Sequence, residues 1–258
     1  MRFRTLQNSG YPIASDLMAS VSMTVAEVLK KLEPLGSPEN VAGMERFGIV
    51  TTKAFGITAP VLKQFAREIK KEVKDRHALA LALWDTGIYD ARVVAYLIED
   101  PKKVTTEQME SWLRDFDNWA TVDGTCGHLF CRTPFAYEKA FEWAVRKPEF
   151  EKRAAFSLVA FLVVHDKKAD DEKLAPFLAL IERHSDDDRN FVRKAVNWAL
   201  RTIGKRSLNL NRLAIDTAKR IKLQDTKSAR WIASDALREL TSEKVLERLR
   251  KRSGLPLQ

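Results

Sequence analysis

The sequence predicts an all-α fold in which helical-hairpin repeats stack into a curved solenoid with a basic concave face. First, from Thr24 onward the chain divides into segments of helical length whose apolar residues lie three and four positions apart. Second, the chain has 10 Gly and 9 Pro, and no stretch of strand length alternates β-branched and polar residues. Third, related segments recur about 40 residues apart. All three observations favour helices over sheet.

About fourteen helices of about 10 to 16 residues are predicted, and three of their starts carry recognisable capping residues. Ser37 precedes a Pro-Glu pair, Thr58 precedes an Ala-Pro pair, and Thr105 stands three residues before Gln108. Hydroxyl oxygens at such positions accept hydrogen bonds from the free amides of the first helical turn. Proline is favoured there because its missing N–H would have no partner in the helix. These positions predict the beginnings of three helices.

The repeat is visible in three segments that begin with arginine. RAAFSLVA begins at Arg153, RKAVNWAL at Arg193 and RWIASDAL at Arg230, so the offsets are 40 and 37 residues. This spacing is near the period of HEAT-like arrays, in which each helical pair buries one face against the next. If equivalent helices stack side by side, the arginines form a ladder along one surface. The alternative is that each arginine pairs with a neighbouring acidic side chain.

A single HEAT-like repeat domain is predicted over residues 23–253. Residues 1–22 carry early basic residues but lack the apolar core of a secretory signal, so we expect a flexible N-terminal extension. Residues 254–258 are expected to form a short C-terminal tail. Because the chain has two cysteines and no export signal, a cytoplasmic location is expected. No segment approaches the ~20 consecutive apolar residues that span a bilayer, so no membrane partner is expected.

The excess of basic residues indicates a polyanionic partner, and duplex DNA fits a basic solenoid surface. The chain has 44 Lys and Arg against 35 Asp and Glu, a formal net charge of +9. Such a surface holds the phosphate backbone with little dependence on base sequence and with strong dependence on salt. The sequence indicates no cofactor and no obligate protein partner. The residues predicted to bind DNA are Arg153, Arg193, Lys194, Arg201, Lys205, Arg206 and Arg230.

Two aromatic positions are candidates for chemistry. In DFDNWATVDG, Trp119 and Asp123 are four residues apart, so an indole and a carboxylate share one face of a helix. Trp198 stands where the repeat that begins at Arg153 has Leu158, and it therefore departs from its own repeat. On spacing alone, these patterns are also typical of a core tryptophan beside a salt-bridged aspartate and of a larger core side chain.

Three blocks of the chain together resemble the AlkD family of alkylpurine DNA glycosylases: WATVD, KRAAFSL and FVRKAVNWALRTIGKR. The resemblance extends more diffusely from Thr24 to Leu249. It implies that Trp119 and Trp198 line a cleft, that Asp123 is the catalytic carboxylate, and that Arg153 grips DNA near the lesion. It also implies a monofunctional enzyme that excises cationic bases such as N7-alkylguanine and N3-alkyladenine without a deep base-flipping pocket.

The chain departs from that family near its N-terminus, where MERFGI offers Phe47 at the place of a DNA-facing tyrosine. Relatives also exist that keep the fold and bind unusual DNA structures without evident glycosylase activity. The alternative interpretation is therefore a non-catalytic helical-repeat protein that binds branched or distorted DNA. A protein-binding scaffold is a third interpretation, but it gives no reason for the recurring arginines.

The segment CGHLFC places Cys126, His128 and Cys131 close together, as in some metal sites. A structural zinc site needs four well-placed ligands, and the chain has only four histidines in all. His165 and Asp166 likewise lack the companion residues of a metal-dependent phosphohydrolase. We therefore predict no metal site, with the two cysteines as small buried thiols.

Overall fold

Fifteen α-helices and two short 3₁₀ helices make up the regular structure of residues 23–51 and 53–254, which the computed structural model describes. The predicted N-terminal extension, and the predicted tail beyond Gly254, lie outside the described residues. No strand occurs in the described part of the chain, so the all-α prediction is confirmed. The 3₁₀ helices are Glu33–Leu35 and Phe130–Arg132. The α-helices are α1 (Val25–Leu32), α2 (Pro38–Arg46), α3 (Ala59–Glu72), α4 (His77–Asp85), α5 (Tyr89–Ile98), α6 (Thr106–Arg114), α7 (Trp119–His128), α8 (Ala136–Ala144), α9 (Glu149–His165), α10 (Asp171–Leu174), α11 (Pro176–Arg183), α12 (Asn190–Gly204), α13 (Leu208–Lys222), α14 (Lys227–Leu240) and α15 (Glu243–Arg252).

The predicted helix starts are found at the positions that the capping residues indicate. The Ser37 side chain accepts a hydrogen bond from the amide of Asn40 at 3.3 Å, and that of Thr105 from the amide of Gln108 at 3.2 Å. Thr58 also immediately precedes its helix, but its side chain caps no amide. There the proline within the first turn begins the helix without help from a hydroxyl group.

The helices form two layers, and one of them carries the predicted site residues. Helices α5, α7, α9, α12 and α14 lie in a row in which each packs against the next. Helices α4, α8, α11 and α13 pack on this row from the other layer, against α5, α9, α12 and α14 respectively. No helix of the described segments combines the length and the apolar composition needed to cross a membrane. The row brings residues that are far apart in sequence onto neighbouring helices.

Helix α9 occupies the centre of the row, and its composition reflects this position. It packs against α7, α8 and α12, so neighbours cover several of its sides, and the run from Arg153 to Ala160 is entirely buried. A helix covered in this way is apolar nearly all round. Two polar side chains, Arg153 and Ser157, nevertheless lie in the buried run. Since a buried polar group must find a partner to remain stable, these two residues point to an interaction across the row.

Candidate active site

The polar side chains of α9 meet an aspartate of α7. Arg153 donates from Nε to Oδ1 of Asp123 at 3.0 Å and from Nη2 to Oδ2 at 2.6 Å, so the two groups form a two-pronged ion pair. Ser157, one helical turn after Arg153, donates from Oγ to Oδ1 of Asp123 at 2.6 Å. The aspartate side chain is 18% exposed and the arginine side chain 7%. The carboxylate is therefore held in one orientation while part of it remains open to solvent.

Arg153 also joins this pair to the next helix of the row. Its Nη1 donates to the backbone oxygen of Phe191, on α12, at 2.7 Å. Its guanidinium carbon lies 6.0 Å from the centre of the Trp119 ring. Three of its nitrogens thus donate within the protein, which leaves fewer donors for a DNA phosphate than the ladder interpretation implies. For this arginine, the structure contains the alternative arrangement, in which the side chain pairs with a neighbouring acid.

Trp119 begins α7 and lies, partly exposed, beside the ion pair. Asn118 caps the start of the helix through its side chain. The indole Nε1 donates to the backbone oxygen of Phe47 at 2.9 Å, which ties the start of α7 to the turn after α2. Trp119 and Asp123 share one helix face, as their spacing predicts, since both contact Arg153.

Trp198 lies on α12 and is connected to α7 through an intervening ring. Its indole meets Phe161 of α9 edge to face, with ring centres 5.1 Å apart. Phe161 in turn packs against Gly127, one helical turn after Asp123 on α7. The structure thus brings together Trp119, Asp123, Arg153 and Ser157, which we call the Asp123 cluster. Trp198 is connected to this cluster through Phe161.

Replacement of Gly127 with Ala tests this connection. An added Cβ would overlap the Phe161 ring, whose position also supports Trp198. We expect the Gly127→Ala protein to lose about 1–3 kcal/mol of unfolding free energy, measured by urea denaturation, because overpacking displaces a packed ring. Gly43→Ala in α2 is the control, since its Cβ would meet nothing within 4 Å. The control should gain about 0.5–1 kcal/mol, and an equal gain at Gly127 would show that the ring contact is unimportant.

A cleft of about 340 Å³ lies beside Trp198 and is strongly basic. Two of its cationic residues, Lys205 and Arg206, are among those predicted from the sequence to bind DNA, whereas the other three are not. Those come from the loop after α9 and from α15, whose run of charges resembles an ordinary solvated helix face. The cationic residues that line the cleft are Lys167, Lys205, Arg206, Arg248 and Arg252.

Arg206 has a structural task at this cleft. Its guanidinium donates to the backbone oxygens of Val163, Asp166 and Ala169 at 3.0–3.1 Å. These carbonyl groups lie at and just beyond the end of α9, where the last turn of a helix leaves its acceptors without partners. Arg206 therefore fixes the loop after α9 that lines the cleft. This structural role accounts for the position of its guanidinium group.

The remaining residues predicted to bind DNA differ in whether they already pair with an acidic side chain of the protein. Arg201 pairs with Asp235 and Glu239, Lys205 also pairs with Glu239, and Arg230 pairs with Asp225. The ladder arginines are also unequal in burial: Arg153 is buried, Arg193 half-buried and Arg230 exposed.

Apart from Arg206, Arg193 and Lys194 are the residues predicted to bind DNA that form no ion pair within the described residues. The Arg193 guanidinium lies over the exposed Trp231 ring, 5.3 Å from its centre. Its Nε is buried without a hydrogen-bond partner in the described part of the chain. Lys194 is exposed. A duplex that lay along the row would therefore meet some cations that are already paired with acidic side chains and others that form no ion pair within the described residues.

The cysteine and histidine residues of CGHLFC do not converge. Both cysteines are buried, as predicted, and burial raises the pKa of the Cys131 thiol to about 11 and that of Cys126 well above its ordinary value. The His128 ring stacks on Tyr96 with centres 5.9 Å apart. Within residues 23–51 and 53–254, no three His, Cys, Asp or Glu side chains gather in a metal-binding arrangement.

Comparisons with known proteins identify the family and the fold of the chain. A family profile described as DNA alkylation repair enzyme matches residues 28–240. One similar solved structure is described as a new family of proteins related to the HEAT-like repeat DNA glycosylases with affinity for branched DNA structures. Its TM-score is 0.68 at 21% identity, over 84% of this chain and 95% of that chain. The predicted HEAT-like helical-repeat fold is thereby confirmed. A search of curated proteins found no match.

Proposed function

The chain belongs to the family of DNA alkylation repair enzymes, and from this premise we propose that it is a DNA N-glycosylase that releases cationic alkylated purines from duplex DNA. Its substrates on this proposal are N7-alkylguanine and N3-alkyladenine. The observation that carries the proposal is the partly exposed Asp123 carboxylate, which Arg153 and Ser157 orient beside Trp119. A carboxylate held in this way already has a fixed orientation before any substrate binds.

The chemistry that these lesions require suits a carboxylate. An alkylated purine already carries a positive charge, so it takes the electron pair of the N-glycosidic bond and leaves as a neutral base. Positive charge then develops on the deoxyribose, where the negative charge of Asp123 stabilises it. Water adds to the anomeric carbon and loses one proton, which leaves an apurinic site. No lysine is needed as a nucleophile, so strand cleavage is not part of the proposal.

The surrounding residues have distinct roles in this scheme. Arg153 and Ser157 are positioning residues, since they fix the Asp123 oxygens through three hydrogen bonds. The Trp119 ring offers its electron-rich face to the cationic base and to the sugar as it becomes positive. Trp198, beside the basic cleft, contacts the nucleotide from the α12 side. Lys167, Arg248 and Arg252 of the cleft, together with Lys194, hold backbone phosphates, which gives affinity that falls with salt.

The direct test is release of free base. Purified protein is incubated with duplex DNA that contains N7-methylguanine and N3-methyladenine, and released purines are separated by chromatography. We expect both bases to appear in solution, no release from unmodified duplex, and no strand breaks before the apurinic sites are cleaved chemically. If the protein binds the methylated duplex and releases neither base, the glycosylase proposal is wrong.

A second candidate function is recognition of branched DNA without catalysis, and one observation favours it. The charge of Asp123 is balanced by Arg153 at 2.6 Å, so the cluster as a whole is neutral. The similar solved structure is described as having affinity for branched DNA. This function predicts binding to a four-way junction at least tenfold tighter than to a linear duplex of equal length, together with no base release.

A further inference from the structure

A second set of cations lies outside the Asp123 cluster, on α3 and at the end of α7. Lys63, Arg67 and Lys70 stand four and three residues apart, so they project from one face of α3. With His128 they line a cleft of about 330 Å³. Arg132 lies in the 3₁₀ helix that follows α7. We call Lys63, Arg67, Lys70, His128 and Arg132 the α3 basic cluster.

The charges of the α3 basic cluster are not balanced by acidic side chains. None of its members forms an ion pair with an acidic group within residues 23–51 and 53–254, unlike Arg153, Arg201 or Lys205 in the row. Like charges on successive turns of one helix lower its stability. A surface that keeps several cations together without acidic partners is typical of a site that binds an external polyanion.

Burial and the neighbouring charges both lower the pKa values of two members of the cluster. Burial, and then the charges of Arg76 and Arg132, lower the pKa of Lys70. Burial also lowers the pKa of His128, with contributions from Lys63 and Arg132. Each group thus holds its proton less firmly, first because it is partly buried and then because its neighbours are positive. A phosphate placed among them would relieve this repulsion.

We propose that the α3 basic cluster binds the phosphate backbone of DNA beside the lesion, as a second contact surface that the predicted DNA-binding residues do not include. This inference rests on the proposed function, since it places the same duplex across both sites. His128 follows Asp123 by five residues on α7, about 7.5 Å along the helix axis. On this proposal, a duplex whose lesion lies at Asp123 extends past the end of α7 and over the cluster.

The length of the cluster suits a row of phosphates. Lys63 and Lys70 are about 10 Å apart along α3. One DNA strand carries a phosphate every ~3.4 Å of helix axis, so this span corresponds to about three phosphates. An acidic membrane surface offers the same charge, but the cluster borders a cleft and includes His128, which lies on the helix that carries Asp123. These features favour DNA as the occupant.

The experiment compares two variants of the full chain that lose equal charge. Lys63→Gln/Arg67→Gln/Lys70→Gln removes three cations from α3, and Arg212→Gln/Lys219→Gln/Lys222→Gln removes three exposed cations from α13 in the other layer. Binding of a labelled unmodified duplex is measured by fluorescence anisotropy between about 50 and 200 mM salt. Melting temperatures near that of the parent protein show that both variants fold.

We expect the α3 variant to bind roughly tenfold more weakly at low salt and its salt slope to fall by about 2 to 3, against less than 1 for the α13 variant. Equal slopes for the two variants would overturn the inference. So would loss of binding to phosphatidylserine vesicles with an unchanged slope on DNA. Base release by the parent protein is scored separately: a reduced slope without any release would contradict only the glycosylase proposal.

Discussion

Asp123→Asn should lower the single-turnover rate of N7-methylguanine release by roughly 10²- to 10³-fold. The amide keeps the size of the side chain and one oxygen that accepts from Arg153, but it removes the negative charge that stabilises the sugar as the glycosidic bond breaks. The rate is measured with protein in excess over methylated duplex, so that product release does not limit it.

Binding provides the check on this variant, because Asp123 is not expected to hold phosphates. The affinity of Asp123→Asn for methylated duplex should stay within a few-fold of the parent value, or rise as one negative charge is lost. Asp117→Asn is the matched control, since Asp117 is an exposed acid just before α7. If both variants release base at the parent rate, Asp123 is not the catalytic carboxylate.

Local patterns were enough to predict most of the fold. Apolar spacing of three and four residues decides whether a segment is helical, and the hydroxyl groups of Ser37 and Thr105 mark where two helices begin. The same local rule predicts that Trp119 and Asp123 share a face. Each of these features depends on residues within about one or two turns, so the sequence contains all the information required.

The partners of the site residues depend on packing between distant helices, which the sequence alone did not reveal. Arg153 and Asp123 are 30 residues apart, and their pairing requires α7 to lie against α9. Ser157 completes the site and was missed, although it follows Arg153 by four residues on the same face. The α3 basic cluster was also missed, since a cationic stripe on one helix is usually a solvated face. These cations can be recognised as a candidate site only in the folded protein, where His128 of α7 lies beside them.

Arg153→Gln should lower the free energy of unfolding by about 3–5 kcal/mol, measured by urea denaturation. The guanidinium is almost fully buried, and its loss leaves the Asp123 carboxylate and the Phe191 carbonyl without their main donor. Removing one partner of a buried ion pair is more harmful than removing both, because the remaining charge stays without compensation. The double variant Asp123→Asn/Arg153→Gln should therefore be less destabilised than the sum of the single changes.

The same variant distinguishes a positioning role for Arg153 from a direct grip on DNA. If Arg153 mainly orients Asp123, Arg153→Gln loses stability and catalytic rate, while the salt slope of duplex binding hardly changes. If it mainly binds a phosphate, the slope falls by about 1 and the unfolding free energy stays near the parent value. Arg153→Lys should recover only part of the lost rate, since an ammonium group cannot donate to both carboxylate oxygens in the fixed geometry of the guanidinium. Full recovery by lysine would mean that charge alone, and not the two-pronged contact, orients the carboxylate.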